Sequence, residues 1–462
     1  MWRRIAAGVG ATLVCALVFF GIYQNLAPFG PGITGVAEDG SQGGPNTGLS
    51  QDGSGSEDKK PGLEEEQEPG GSPKRQSPEA GVGPDPFEEV DFPLRAKSGI
   101  LMVVETGQVL ASKNPDLKNA PASLVKIMTM KVALEAVKQG VVQLDTRVRV
   151  SRQAWEVGQG TSTMFLNIDE RVTLEDLLFG VGVVSGNDAS VAVAELLAGA
   201  EELFVQRMNR RAGELGLENT RFVNAHGLDA EGQYTTARDM ALLARAFFRD
   251  HPKDLERFAG LKKFTFNGIT QYNRNGLLGR YEGVNGLKTG FTESAGYNIA
   301  VTARRGEMGL VAVVMGAQPE MDDTGKVVKS GERVREEEAA KLLNFGFMNF
   351  TNVRIAQEGE KLGTRRVWKG KTNQVELVIP EEVVVTLPKT KIRAVEQRLE
   401  ITDPIFAPLK KGEKIGVVKI RVQGQEVTAA DVVAGNRVEA GSLVKRFLDT
   451  LRIFLLRLVG QL

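Results

Sequence analysis

The chain of 462 residues contains one cysteine and only two histidines, His226 and His251. A single cysteine forms no disulfide within the chain, and the three residues together provide no credible zinc site. A Ser-His-Asp hydrolase needs a positioned imidazole, which two histidines in unsuitable settings do not supply. We expect a structural or peripheral role for His226 in its loop-like context and a surface position for His251.

Net charge is also absent, since 58 Lys and Arg residues balance 58 Asp and Glu residues. A balanced chain shows no electrostatic footprint for nucleic acid, so no nucleic-acid partner is expected. No glycine-rich phosphate loop occurs either. We therefore expect an activity that needs no metal ion and no cofactor.

Three short motifs carry the candidate chemistry: Ser-Leu-Val-Lys at 123–126, Ser-Gly-Asn at 185–187 and Lys-Thr-Gly at 288–290. A serine hydroxyl is a weak nucleophile until a base takes its proton, and a lysine with a depressed pKa can be that base. Residues three apart share one face of a helix, so Ser123 and Lys126 are expected to meet. The set predicts an acyl-transferring serine enzyme.

Two of the three motifs, Ser-x-x-Lys and Lys-Thr-Gly, have similar segments elsewhere in the chain, and the flanking sequence distinguishes them. Ser123 opens an apolar helical run, whereas Ser56 lies in a Gly/Ser/Glu tract and Ser442 caps an amphipathic terminal helix. Lys288 is flanked by strand-like sequence that is typical of a sheet edge. Lys329, in contrast, lies in a charged stretch for which we predict no strand.

With these motifs the chain resembles the penicillin-binding serine transferase superfamily. Longer matching segments lie at 224–229, 233–241, 273–278 and 290–298. They resemble the D-alanyl-D-alanine carboxypeptidases, which are the low-molecular-mass penicillin-binding proteins, over about residues 94 to 437. The resemblance implies hydrolysis of the terminal D-alanine from the pentapeptide stem of peptidoglycan.

The resemblance also assigns catalytic roles. Ser123 is implied as the nucleophile and Lys126 as its general base, kept neutral by burial and by the cation of Lys288. Ser185 is implied to relay a proton to the leaving D-alanine. The backbone N–H groups of Ser123 and Phe291 are implied as the oxyanion hole.

A second implied group binds the substrate: Asn187, Lys288, Thr289, Gly290 and Arg335. Lys288 and Thr289 suit a terminal carboxylate, and Asn187 is implied to hold Lys126 and a substrate amide. Arg335 is the best match to a carboxylate-binding arginine before the last helix of the catalytic domain. Arg333 remains a competitor, because the segment from 318 to 334 is longer than the family usually carries.

Acylation by β-lactam antibiotics is implied as well. The chain lacks the Glu-x-x-Leu-Asn segment with which class A β-lactamases deliver the deacylating water, so slow β-lactam hydrolysis is expected. Two alternatives stay open: a D,D-endopeptidase that cuts cross-links, and a non-catalytic cell-wall scaffold.

The expected fold class is α+β, with an antiparallel sheet and packed helices in a catalytic domain at 94–350. Helical periodicity covers 123–137, 174–197, 235–248 and 336–350. A small β-rich domain is expected at 351–437. An amphipathic helix at 438–462 is expected to lie on a membrane surface through an arc of apolar side chains, to which Ile453 and Leu456 are exceptions. Docking of this helix on the chain's own β-domain is the alternative.

The amino-terminal region predicts export. Residues 1–28 combine a basic start with an apolar run long enough to span a bilayer, either an uncleaved anchor or a signal segment. Residues 29–93 are rich in Gly, Pro and Glu, which predicts a disordered linker. We therefore expect attachment to the inner membrane with the catalytic domain on the periplasmic side.

Overall fold

The computed structural model describes residues 89–460. The predicted membrane segment at 1–28, most of the predicted linker at 29–93, and Ser56 lie outside the described residues. Within 89–460 no helix is both long enough and apolar enough to cross a membrane.

The first part of the described chain is built around a six-stranded sheet with the strand order β1-β3-β2-β10-β9-β8. The strands of this sheet and of three two-stranded sheets in the same part of the chain are β1 Val90–Asp91, β2 Ser98–Val103, β3 Val109–Lys113, β4 Arg147–Arg149, β5 Arg171–Thr173, β6 Lys263–Phe266, β7 Ile269–Tyr272, β8 Val284–Thr292, β9 Gly296–Arg305, β10 Met308–Ala317, β11 Glu320–Met321 and β12 Val327–Lys329. Only the β1–β3 pair of this sheet is parallel, while the other pairs are antiparallel. Strand β8 forms one edge.

Eight α-helices accompany these strands in residues 89–349. They are α1 Val125–Lys138, α2 Arg152–Gly158, α3 Leu174–Phe179, α4 Asn187–Ala198, α5 Glu201–Glu214, α6 Ala237–Asp250, α7 Pro252–Ala259 and α8 Gly331–Asn349. Four of them begin at a Ser or Thr whose side chain accepts a hydrogen bond from a backbone N–H of the first turn: Ser151, Thr173, Thr236 and Ser330. Such caps satisfy amide groups that the helix itself leaves unpaired.

The central strand β10 is buried along its whole length, because both faces of the sheet are covered. Val311, Val313 and Met315 point into a core shared with helices such as α1 and α6. Leu310 and Val314 point to the other face, where α8 packs. This alternation, with apolar residues on both faces, is expected for a strand between two layers of helices.

The predicted α+β class is confirmed. Lys288 lies on the edge strand β8, as expected. The predicted helix at 174–197 is interrupted by a π-helical turn, Gly180–Val184, which places Ser185 at the predicted break. The expectation of no strand around Lys329 is wrong, because β11 and β12 pair as a hairpin that ends there, with Lys329 opposite Glu320.

A separate β-rich unit follows α8. Its strands are β13 Phe350–Ala356, β14 Lys361–Trp368, β15 Gln374–Val378, β16 Val383–Pro388, β17 Val395–Ile401, β18 Ile405–Phe406, β19 Lys414–Val422 and β20 Gln425–Ala434. Six form a sheet in the order β17-β19-β20-β15-β14-β18, and β13 pairs with β16. The unit has its own hydrophobic core, drawn from residues between Ala356 and Val438.

The last helix, α9 (Leu443–Leu458), begins at its N-cap Ser442 and docks on the β-rich unit. Asp449 is buried and accepts a hydrogen bond of 2.7 Å from the N–H of Lys369. Ile453, one turn later, is also buried, and Leu456 is half-buried. The two exceptions to the predicted apolar arc are therefore residues on the side of α9 that faces the protein.

Candidate active site

Ser123 lies in a 3₁₀ turn, Ala122–Leu124, that leads directly into α1. Lys126 follows in the first turn of that helix, and its Nζ lies 3.1 Å from the Oγ of Ser123. Ala122 has a φ of 48°, in a region that only a few per cent of non-glycine residues adopt. The predicted pair thus meets where the turn changes into the helix.

Lys126 is fully buried, and in addition to its contact with Ser123 its Nζ has two close hydrogen-bond acceptors. It donates to Oδ1 of Asn187 at 2.7 Å and to the carbonyl of His226 at 2.5 Å. A neutral amine has two hydrogens and one lone pair. The two acceptors take both hydrogens, so the lone pair is left to accept a hydrogen bond from the hydroxyl of Ser123.

Burial lowers the pKa of Lys126 to about 7, because the charged form loses its hydration. The carboxylate of Asp188 opposes this shift in the pKa, and the cation of Arg274 adds to it. Burial was predicted from the sequence as a cause of this lowered pKa, whereas the accompanying cation predicted there was Lys288 and not Arg274. Lys288 is itself buried, and its own pKa is lowered well below that of a free lysine.

Lys288 donates a hydrogen bond of 2.9 Å to the Oγ of Ser185, which links two of the three motifs. Ser185 follows the π-helical turn in a left-handed conformation with a φ of 66°. The pKa of Lys288 is lowered first by burial and then by the charges of Lys126, Arg274 and Arg335. An anion bound here would stabilise the protonated form of Lys288.

The segment that carries Ser185 and Asn187 is held by the buried carboxylate of Asp188. Its oxygens accept hydrogen bonds from the N–H groups of Met164 and Leu166, at 2.9 Å and 3.2 Å. The N–H of Asn187 donates in turn to the carbonyl of Ser162, at 2.7 Å. The 162–166 loop and the start of α4 are therefore tied to each other in both directions.

Strand β8 passes close to the nucleophile at Gly290. A Cβ on residue 290 would lie 2.9 Å from the backbone nitrogen of Ser123, so the approach requires glycine. Thr289, before it, is buried, and Phe291, after it, has an exposed ring. The two predicted oxyanion donors, the N–H groups of Ser123 and Phe291, thus lie on segments in contact.

Arg335 is buried at the start of α8, and its guanidinium reaches the edge of the same strand. Its Nη1 donates to the carbonyl of Gly290 and its Nη2 to the carbonyl of Arg274, both at 3.3 Å. Burial lowers the pKa of Arg335 to about 10. Arg333 is exposed and lies 3.8 Å from Glu337, so of the two candidates only Arg335 reaches the site.

Three contributions to the site were not predicted from the sequence: the charge of Arg274, the carboxylate of Asp188 and the carbonyl of His226. Arg274 lies in the segment 273–278, which carried part of the resemblance, and Asp188 directly follows Asn187. Their positions beside recognised motifs were the only signals in the sequence that could have identified Arg274 and Asp188 as site residues. The carbonyl of His226 carries no sequence signal at all, because any residue supplies one.

The structure places both histidines in buried positions. His226 is buried beside the site; burial and the charge of Lys126 lower its pKa to about 3, so it is neutral. The prediction that His251 lies at the surface is wrong. His251 is buried at the junction of α6 and α7, and its ring lies 5.9 Å from that of Phe247.

Residues 86–319 match the D-alanyl-D-alanine carboxypeptidase family of peptidases, about half of the chain. The chain belongs to this family. Residues 350–440 match a second family, the penicillin-binding protein 5, C-terminal domain, so both described units are accounted for by the same kind of protein.

Individual relatives agree with this membership. D-alanyl-D-alanine carboxypeptidase DacC of Escherichia coli is 39% identical over 77% of this chain and 87% of its own length. Crystal structures of penicillin binding protein 5 from Haemophilus influenzae are similar, with a TM-score of 0.69, 38% identity, and 78% of this chain and 100% of that chain covered. Penicillin binding protein 6B from Escherichia coli has a TM-score of 0.62 at 36% identity, covering 76% and 99%.

Proposed function

We propose that the chain removes the terminal D-alanine from peptidoglycan pentapeptide stems, as a serine-type D-Ala-D-Ala carboxypeptidase. The observation that carries this proposal is the buried amine of Lys126. Its Nζ lies within hydrogen-bond distance of Asn187, His226 and Ser123, and in the neutral form the first two accept its hydrogens and leave its lone pair for the hydroxyl of Ser123. Such an arrangement suits proton abstraction from a serine near neutral pH.

In acylation, Oγ of Ser123 attacks the carbonyl carbon of the penultimate D-alanine, and Lys126 takes the hydroxyl proton. The N–H groups of Ser123 and Phe291 stabilise the oxyanion. The C–N bond then breaks, and Ser185 passes a proton to the departing amine of D-alanine. Water hydrolyses the ester on Ser123, which releases the shortened peptide and restores the hydroxyl.

The terminal carboxylate of the substrate is the anion expected beside Lys288, Thr289 and Arg335. Arg335 is a buried cation, Lys288 is a buried amine whose charged form an anion would stabilise, and Nε of Arg335 has no hydrogen-bond partner among the described residues. Unpaired buried charges are costly, so a carboxylate that pairs with them gains affinity. Asn187 and the backbone at Gly290 would hold the peptide beside Ser123.

A free carboxylate distinguishes a carboxypeptidase substrate from a cross-link, in which that carboxylate can be farther from the cut bond. Lys288 and Arg335 therefore favour carboxypeptidase activity over the D,D-endopeptidase alternative. The intact set of Ser123, Lys126 and Ser185 likewise speaks against a non-catalytic scaffold.

Labelled penicillin tests the mechanism directly, because a β-lactam carbonyl is attacked by the same hydroxyl. We expect mass spectrometry to find the adduct on Ser123. Ser123→Ala should lose both the adduct and the release of D-alanine from pentapeptide. An adduct on another residue, or D-alanine release by Ser123→Ala, would contradict the proposal.

We further propose that α9 lies on an anionic membrane surface, with the catalytic unit on the periplasmic side of the inner membrane. The large apolar side chains of α9 that are exposed are Leu443, Val444, Phe447, Leu448, Leu451, Phe454 and Leu458. Arg446, Arg452 and Arg457 flank this face, which suits anionic headgroups. Because Asp449 and Ile453 occupy the side that faces the protein, the apolar side points away from it.

Vesicles containing an anionic phospholipid test this second proposal. A chain that lacks residues 1–28 should bind them, and removal of residues 438–462 from it should abolish binding. If the chain without residues 438–462 still binds the vesicles equally well after a salt wash, α9 is excluded as the membrane contact. Penicillin acylation of both chains serves as the control for folding.

A further inference from the structure

Arg335 is a buried cation that forms no ion pair within the described residues, although the charges of Glu332 and Glu336 act on it from a longer distance. Its side chain is 2% exposed, and no carboxylate oxygen within residues 89–460 lies at salt-bridge distance from its guanidinium. Its hydrogen bonds are two long ones to backbone carbonyls. Both bonds are long and Nε makes none, so a further contact can contribute to the orientation of the guanidinium.

That contact is the ring of Tyr297 on β9. The Cζ of Arg335 lies 5.7 Å from the ring centroid, within the range of a cation–π interaction. An aromatic face stabilises a cation without neutralising it. An aspartate or glutamate in the same place would pair with Arg335 and compete with the carboxylate of the substrate.

The ring of Tyr297 is itself held on two sides. Phe291 pairs with it across β8 and β9, and the two ring centroids are 4.3 Å apart. On another side the backbone of α8 approaches at Gly331, where a Cβ would lie 2.1 Å from Cδ2 of Tyr297. Glycine at 331 therefore makes room for the ring at the start of the helix that carries Arg335.

We propose that Tyr297, held by Phe291 and Gly331, is the positioning residue for Arg335: its ring orients the guanidinium toward the carboxylate of the substrate and leaves its charge available. The inference rests on the proposed role of Arg335 in carboxylate binding. It also gives Phe291 a side-chain role separate from its backbone N–H.

Two peptidyl thioesters that differ in one charge test the proposal. Both end in the same peptidyl-D-alanyl group; one has thioglycolate as its leaving group and the other has the methyl ester of thioglycolate. We expect Tyr297→Leu to raise KM for the carboxylate-bearing thioester about tenfold and to leave the methyl ester unaffected. Tyr297→Phe, which keeps the ring face, should retain a KM close to that of the wild type.

Gly331→Ala provides a second variant that leaves Tyr297 intact but displaces its ring. It should raise KM selectively for the carboxylate-bearing thioester. Adding Tyr297→Leu to Arg335→Gln should cause no further loss, because the positioned group is already absent. Equal effects of Tyr297→Leu on both thioesters would mean a merely structural role, and no effect on either would also overturn the inference.

Different results would contradict the carboxylate-binding role of Arg335 and the positioning role of Tyr297. If Arg335→Gln distinguishes the two thioesters as well as the wild type does, the carboxylate role of Arg335 is wrong. If Arg335→Gln loses that discrimination while Tyr297→Leu keeps it, only the positioning role of Tyr297 is wrong.

Discussion

At the scale of single residues, the chemistry depends on the protonation of Lys126. The base must be neutral to accept the proton of Ser123, and burial has already lowered its pKa to about 7. Acylation should therefore be fast above pH 7 and should slow as the pH falls through that value. At pH 5.5 we expect a rate about thirtyfold below the plateau.

Stopped-flow acylation by a chromogenic β-lactam between pH 5 and 9 measures this profile. Arg274→Gln provides a directional control, because the cation of Arg274 is one cause of the lowered pKa of Lys126. Its loss should move the ascending limb to higher pH. A profile without a limb near pH 7, or a limb that moves to lower pH in Arg274→Gln, would exclude this account of Lys126.

Gly290 allows a second prediction at this scale. In Gly290→Ala the new Cβ would crowd the nitrogen of Ser123 and, at 3.0 Å, the Cβ of Ala122. Displacement of β8 should misplace an oxyanion donor and slow acylation about 100-fold or more. Gly213→Ala in α5 is the control, since no other part of the structure lies within 4 Å of a Cβ there. Acylation of Gly290→Ala within threefold of this control would contradict the prediction.

The residue contacts that could be predicted from the sequence are those between residues close together in the chain. Ser123 and Lys126 lie three apart at a helix start, so their contact follows from helix geometry. The charge of Arg274 and the carbonyl of His226 reach Lys126 only through tertiary packing. No spacing in the sequence reports that approach, which is why burial was predicted as a cause of the lowered pKa of Lys126 and the charge of Arg274 was not.

At the scale of elements, long periodic segments were predictable from the sequence, whereas short segments were not. The predicted helices at 123–137 and 235–248 correspond to α1 and α6, because their apolar faces bury against the sheet. The break at Ser185 was visible as a motif inside a helical pattern. The hairpin β11–β12 was missed, since its strands are two and three residues long and largely exposed.

The tie between the 162–166 loop and α4 gives a prediction at this scale. Asp188→Ala would leave the N–H groups of Met164 and Leu166 without their acceptor, at a cost of about 3 kcal/mol. That cost corresponds to roughly 100-fold faster hydrogen exchange at these two amides. Asp322→Ala, in an exposed turn, is the control and should leave them protected. Unchanged exchange in Asp188→Ala would show that other contacts hold the loop.

At the scale of the whole molecule, α9 has two distinct sides: one packs on the β-rich unit, and the other is exposed and apolar. The apolar arc was predictable from its 100° periodicity, whereas Ile453 and Leu456 broke that pattern without an explanation in the sequence. They lie on the side of Asp449, which contacts the β-rich unit. The apolar residues of α9 therefore belong to two surfaces, and the sequence pattern alone does not show which residues face the β-rich unit and which are exposed.

The two surfaces of α9 should be separable by mutation. Asp449→Ala with Ile453→Ser removes two contacts of α9 with the β-rich unit, the hydrogen bond to Lys369 and the buried side chain of Ile453. Limited proteolysis in detergent should therefore cut faster between residues 439 and 442, while vesicle binding persists. Phe447→Ala with Leu451→Ser alters the outward face instead, and should weaken vesicle binding without exposing that segment. Penicillin acylation should be equal in both, because Ser123, Lys126 and Ser185 all lie in the preceding unit. Loss of vesicle binding in the first pair alone would mean that the buried side of α9, after it leaves the protein, is the side that meets the membrane.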